Sequence, residues 1–230
     1  MKQLTFQPIL SNLTEAHEEL ARLFAQLQFL VFGEVVEESV KEWAETVAQD
    51  ERTSPLDERA LFVSLVQAYR HLNVAWNGRH ASKERVRRGA PADFRRWSKF
   101  PGDAAFRDLW PAPSQCRGKP REPGRGRIAP NSLQSAFLQM AVRKLGNLRY
   151  IISFSLGDKK VPRPKGLRPG IETEPFTEAE FAWRMHRIYS EMNFAWACRK
   201  GSGNLSRQAI RRRRQFPATF LSEFARIGTS

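Results

Sequence analysis

The feature that most constrains this chain is an internal repeat. Residues 54–79, SPLDERALFVSLVQAYRHLNVAWNGR, align without a gap on residues 174–199, EPFTEAEFAWRMHRIYSEMNFAWACR, at an offset of 120. Seven positions are identical: Pro55/Pro175, Glu58/Glu178, Tyr69/Tyr189, Asn73/Asn193, Ala75/Ala195, Trp76/Trp196 and Arg79/Arg199. Upstream, Leu27-Gln28-Phe29-Leu30 resembles Leu148-Arg149-Tyr150-Ile151. Downstream, Arg95-Arg96 and Phe100-Pro101 match Arg211-Arg212 and Phe216-Pro217. We read a tandem duplication of a unit of about 110 residues, so one copy must fold much as the other does.

Each repeated segment reads as a helix with its own start. Asp57 and Thr177 are suited to accept hydrogen bonds from the first free backbone N–H groups. Thr177 with Glu180 makes a capping box, and Leu56 with Leu61, like Phe176 with Phe181, makes a hydrophobic staple. Phe62, Leu65, Tyr69, Leu72 and Trp76 recur at three and four, so one stripe faces a core. Asn73 and Asn193 fall inside that stripe, and a buried amide needs partners. Asn and Tyr are therefore expected to bond across helices; the rival is that Asn and the following Arg line a ligand groove.

The remaining pattern is also helical. Leu13, Ala16, Leu20, Phe24, Leu27 and Val31 mark a helix in residues 12–32, and Leu133, Phe137, Met140, Leu148 and Ile152 mark its counterpart. Val36, Val40, Trp43 and Val47 predict an acidic helix over 34–51, with Glu34, Glu37, Glu38, Glu42 and Glu45 on its outer surface. The fold class is all-α: two tandem-duplicated small helical bundles joined by a basic Pro/Gly-rich linker. The expected boundaries are 1–110 for unit one, 111–130 for the linker and 131–230 for unit two. The linker, PAPSQCRGKPREPGRGRIAP, carries five Pro and three Gly and cannot sustain a helix. The copies differ where unit two replaces the acidic stretch with GDKKVPRPKGLRP, whose prolines and glycines forbid a helix and whose charge has the opposite sign.

Charge is segregated along the chain. Residues 1–60 hold 5 basic and 12 acidic side chains, residues 61–130 hold 15 and 5, and residues 131–230 hold 18 and 7, for a net charge of +14. A basic body behind an acidic front end points to a polyanion ligand and a separate protein contact at 34–51. The bland alternative is that the acidic stretch neutralises basic neighbours within the fold. Arg outnumbers Lys by 28 to 10, and Arg offers a planar fork to phosphates. No run approaches ~18 consecutive apolar residues, so no membrane span is expected. No signal peptide is visible, and the two cysteines make neither a disulfide framework nor a zinc pattern, which fits a cytoplasmic protein.

Catalytic constellations are missing from the pattern. No Walker-type lysine loop, nucleophile elbow, Cys-x-x-Cys or metal-spaced His pair occurs, and His17, His71, His80 and His186 are scattered. The chain is expected to be no enzyme and to need no cofactor or metal. The basic signal is stronger: a cationic tract follows each repeated helix. The first holds Arg79, Lys83, Arg85, Arg87, Arg88, Arg95, Arg96 and Lys99; the second holds Arg199, Lys200, Arg207, Arg211, Arg212, Arg213 and Arg214. Lys159, Lys160, Arg163 and Lys165 add cations in the divergent loop of unit two, while Ser82, Asn204 and Ser206 could donate to phosphates. Two tracts at matching places predict backbone contact with RNA or DNA rather than base reading.

A basic all-α chain of this kind broadly resembles the small helical subunits of nucleoprotein machines such as CRISPR effector complexes. The resemblance rests on class and charge and implies a non-catalytic nucleic-acid-binding subunit. The alternatives are a divergent helical nuclease or toxin, and a scaffold that docks an acidic protein.

Overall fold

The computed structural model describes residues 6–53, 56–99, 128–157, 163–171 and 176–199, with Leu4, Pro101 and Glu174. Among the described residues every regular element is helical. Helix α1 (Phe6–Phe32) follows the stripe of Leu13, Ala16, Leu20, Phe24 and Leu27, all buried. It stops at Gly33, whose φ of 81° suits glycine and whose N–H bonds the Phe29 carbonyl at 2.9 Å.

The stretch 34–51 is not the single acidic helix its apolar spacing predicts. It breaks into a 3₁₀ turn at Glu38–Val40, a short helix α2 (Lys41–Ala44) and the start of α3 (Gln49–Thr53). Gln28 supplies the reason: its Oε1 accepts from the N–H groups of Val36 and Glu37, holding the chain extended where a helix would have begun. The break lets Val40 and Val47 reach buried positions while Val36 stays exposed.

The repeated segments form α4 (Glu58–Asn77) and, as expected, a helix of equal length at Glu178–Ala197. Asp57 Oδ1 accepts from the Ala60 N–H at 2.6 Å and Thr177 Oγ1 from the Glu180 N–H at 3.2 Å. Between them lie α5 (Lys83–Arg88), α6 (Pro91–Trp97) and α7 (Ser132–Ser155); the helix at 178–197 is α8. Asn131 caps α7 by accepting from the Gln134 N–H at 2.9 Å, and its Nδ2 donates to the Cys198 carbonyl at 3.0 Å.

The four long helices form a closed ring of neighbours: α1 beside α4, α4 beside α8, α8 beside α7, and α7 beside α1. One apolar core runs through all four, from Leu20 and Phe24 to Trp76, Leu145 and Phe181. The helix pairs α1–α4 and α7–α8 therefore share one core among the described residues. Ile128 is buried, and its N–H bonds the Leu56 carbonyl at 3.1 Å while Ala129 N–H bonds the Arg199 carbonyl at 3.2 Å. The end of the expected linker is thus stitched between the two repeats; residues 111–127 lie outside the described residues.

The identical positions of the repeat meet across the α4–α8 contact. Tyr189 donates to Asn73 Oδ1, Tyr69 donates to Asn193 Oδ1, and the two rings lie 4.9 Å apart. Arg79 pairs with Glu178 and Arg199 with Glu58. Each guanidinium lies 3.9 Å from the ring centroid of its own tryptophan, Trp76 or Trp196, and donates to that residue's carbonyl. The expectation that the asparagines bond across helices holds, and the rival groove reading of Asn73 and Asn193 does not.

Candidate nucleic-acid interface

Helices α5 and α6 display the first basic tract. Ser82 Oγ accepts from the Arg85 N–H at 3.2 Å, so it serves as the N-cap of α5. Gly89, at a φ of 58°, turns the chain, and Pro91 opens α6. Arg85 then ties the two helices together through Asp93, with Nε at 2.8 Å and Nη2 at 2.5 Å. The pair sits on a base supplied by α4: Asn73 Nδ2 donates to the Ser98 carbonyl, and Asn77 Nδ2 to those of Trp97 and Lys99. Gly78 carries no side chain, and Trp97 packs over it.

Lys83, Arg87, Arg88, Arg95, Arg96 and Lys99 are exposed on this platform, as is Phe94. The Arg85 guanidinium holds the Asp93 carboxyl below its usual range, with Arg96 and Arg88 adding to the effect. Cations of both helices thus lie near one carboxylate. The two carboxylates of this stretch are Glu84 and Asp93, and Asp93 is occupied by Arg85.

The other expected site residues divide into three groups. Arg79 and Arg199 are half-buried and engaged with Glu178 and Glu58, a use that their place in a cationic tract does not reveal. Arg163 donates to the carbonyls of Leu167 and Arg168 and so braces its own loop. Lys165 is exposed and lies close enough to Glu38 to help Lys41 lower that carboxyl's pKa. Together with Gln139, which donates to Glu37, and Arg22, which grips Glu51, this draws much of the acidic stretch into internal contacts. Lys159, Lys160, Lys200, Arg207, Arg211, Arg212, Arg213 and Arg214 lie outside the described residues, as do Asn204 and Ser206.

A second cationic surface escaped the sequence reading. A groove of about 960 Å³ lies between α7, α8 and residues 163–171. Its cations, Arg143, Lys144, Arg168, Arg184 and Arg187, are dispersed through helices and a loop rather than gathered in a tract. The signal in sequence is the i, i+4 pair Trp183 and Arg187, which places an aromatic and a cation on the same exposed face of α8.

Among the described residues no group of three His, Cys, Asp or Glu side chains converges on a metal position, and no helix is long and apolar enough to cross a membrane. Comparison with protein-family models, with curated proteins and with solved structures finds no match to this chain.

Proposed function

We propose that this chain is a non-catalytic nucleic-acid-binding protein that holds the phosphate backbone of RNA or DNA against the α5–α6 surface, as a subunit of a larger nucleoprotein complex. The observation that carries the reading is the Arg85–Asp93 pair that locks α5 to α6, with Lys83, Arg87, Arg88, Arg95, Arg96 and Lys99 exposed to solvent around it. Phosphate contacts need mobile, solvent-facing cations at a fixed mean position, and two short helices locked by Arg85 and Asp93 provide that. Exposed Phe94 adds a flat apolar face beside them. We read the repeat as a tandem duplication, supported by the reciprocal pairs between α4 and α8. Glu34, Glu42, Glu45 and Asp50 stay exposed and are the residues offered to a protein partner.

The test is titration of the full chain with single-stranded RNA, single-stranded DNA and duplex DNA over a salt series. Six backbone contacts give a slope of log K against log salt of roughly −4 to −5. Replacing Arg87, Arg88, Arg95 and Arg96 together by Gln should weaken binding by about tenfold or more, roughly 1.4 kcal/mol, with an unchanged circular dichroism spectrum. A flat salt response, or an unchanged affinity in that variant, would remove the reading. Cleavage of the nucleic acid that EDTA abolishes would replace it with the nuclease alternative.

A further inference from the structure

The groove between α7 and α8 has the composition of a small-molecule site, and the geometry points to a phosphorylated nucleoside as its occupant. We propose that Arg143 and Arg187 hold a nucleoside 5′-phosphate group there while the base lies toward Trp183.

Size comes first. At about 960 Å³ the groove is far larger than an inorganic phosphate needs, and it falls at the upper end of the range for organic ligands.

Charge comes second. Three of its cations face carboxylates: Lys144 pairs with Glu191, Arg168 with Glu174, and Arg184 with Glu180 at 2.6 Å. Arg143 and Arg187 have no carboxylate partner among the described residues. Two planar guanidinium groups in one concave site suit a phosphate, which accepts from each in a forked geometry. Arg143 rests against Gly166, where a Cβ would lie 2.4 Å from its Nη2, so the glycine at a φ of 75° lets the guanidinium settle on the loop backbone.

Unmet hydrogen bonding comes third. Arg184 Nε and Asn147 Oδ1 are both buried in this wall without a partner among the described residues. One is a donor and the other an acceptor. Buried polar atoms are normally satisfied, so these two mark a part of the wall where a small side-chain shift opens a donor and an acceptor to the edge of a base or a ribose. An apolar wall supplies the last element. Trp183 is 42% exposed and Met140 37% exposed, and Leu167 and Ile171 also line the groove. The Arg187 guanidinium lies 4.8 Å from the Trp183 ring centroid, so phosphate-binding charge and stacking surface adjoin.

This proposal does not depend on the α5–α6 surface. Isothermal titration of the full chain would use the four nucleoside 5′-monophosphates, the matching nucleosides and inorganic phosphate. A nucleoside monophosphate should bind at least about tenfold more tightly than its nucleoside and than phosphate alone. The exposed-residue double variant Arg143→Gln, Arg187→Gln should lose that binding by a similar factor. Trp183→Ala should weaken nucleotide and nucleoside together, and the four-arginine α5–α6 variant should bind nucleotide as the parent does.

The source of the phosphate is read with short oligonucleotides carrying a 5′-phosphate or a 5′-hydroxyl. A phosphorylated strand that displaces the mononucleotide at lower concentration assigns a strand end; the reverse order assigns a free nucleotide. Equal affinity for nucleoside and nucleotide, an undiminished double variant, or no binding of any of the four at about 1 mM would overturn the proposal.

Discussion

The Tyr189 hydroxyl donates to Asn73 Oδ1 at 2.6 Å, and the equivalent tyrosine of the other repeat, Tyr69, makes the reciprocal bond to Asn193. Burial pushes both phenols well above their usual pKa, which keeps both protonated as donors at neutral pH. Tyr69→Phe and Tyr189→Phe should each destabilise by about 1–3 kcal/mol, because each deprives a buried amide oxygen of its donor. Urea unfolding of the two single variants should give costs that agree within about 1 kcal/mol, the mark of equivalent environments.

Arg199→Gln should behave as a structural change rather than a loss of ligand. It leaves Glu58, whose side chain is 12% exposed, without its cation. The expected cost is about 2 kcal/mol, less than for a fully buried pair because Arg199 still reaches solvent. Adding Glu58→Gln should recover part of it. At temperatures where the variant is folded, nucleic-acid affinity should stay within about twofold of the parent, well under 1 kcal/mol. A large loss of affinity with unchanged stability would return Arg199 to the binding surface.

The two repeat tryptophans should differ in spite of their shared position. Trp76 is fully buried against Phe181, with ring centroids 5.2 Å apart, whereas Trp196 is only partly buried beside Phe62. Trp76→Ala should cost about 3–5 kcal/mol and Trp196→Ala measurably less. Thermal melts of both variants under one buffer condition provide the comparison.

His17 sets a pH dependence. It is half-buried on α1 against Gly146 of α7, with its Nδ1 enclosed and lacking a partner among the described residues. Burial first, and the nearby Arg149 cation second, lower its pKa from 6.5 to about 3. The unfolded chain therefore takes up a proton below pH 6.5 that the folded chain refuses until about pH 3. The His17 contribution is complete above pH 6.5 and is lost as the pH falls, by up to about 1.4 kcal/mol per unit. Denaturant titrations between about pH 6.5 and pH 4.5 should show a shallower decline for His17→Gln than for the parent. Identical slopes would mean that His17 titrates normally in the fold.

Much of this architecture is legible in the sequence, and specific residues show why. Asp57 and Thr177 begin their helices where capping chemistry places them, because that signal is local. The stripe ending in Trp76 finds the core because burial follows helical period. Residues 34–51 fail for a different reason: Gln28, near the end of the preceding helix, captures two backbone donors 8 and 9 residues on, and hydrophobic periodicity carries no signal of a polar side chain competing for the backbone. Arg79 and Arg199 illustrate the same limit at the site. Their sequence neighbours are cations, but the carboxylates that engage them lie 99 and 141 residues away in the chain. Ser82 was legible as a polar residue before a basic run, yet its role is to start α5. The α7–α8 groove was the least visible, since its cations come from separate elements and converge only when the helices pack.

The reciprocal tyrosine bonds join parts of the chain that are synthesised at different times. Asn193 follows Tyr69 by 124 residues. At about 5–20 residues per second, translation leaves α4 waiting roughly 6–25 seconds for the helix that completes it. During that interval Tyr69, Asn73 and Trp76 face a ribosome-bound chain that has not yet supplied its second half. The surface they present is matched by α4 of any neighbouring nascent chain, which carries the same residues at the same spacing. A truncated chain of residues 1–130 should therefore self-associate through α4, and sedimentation should find it larger than a monomer. Completing the second repeat converts a contact between molecules into one within a molecule, and with it a concentration-dependent step into one that is independent of how much protein the cell holds.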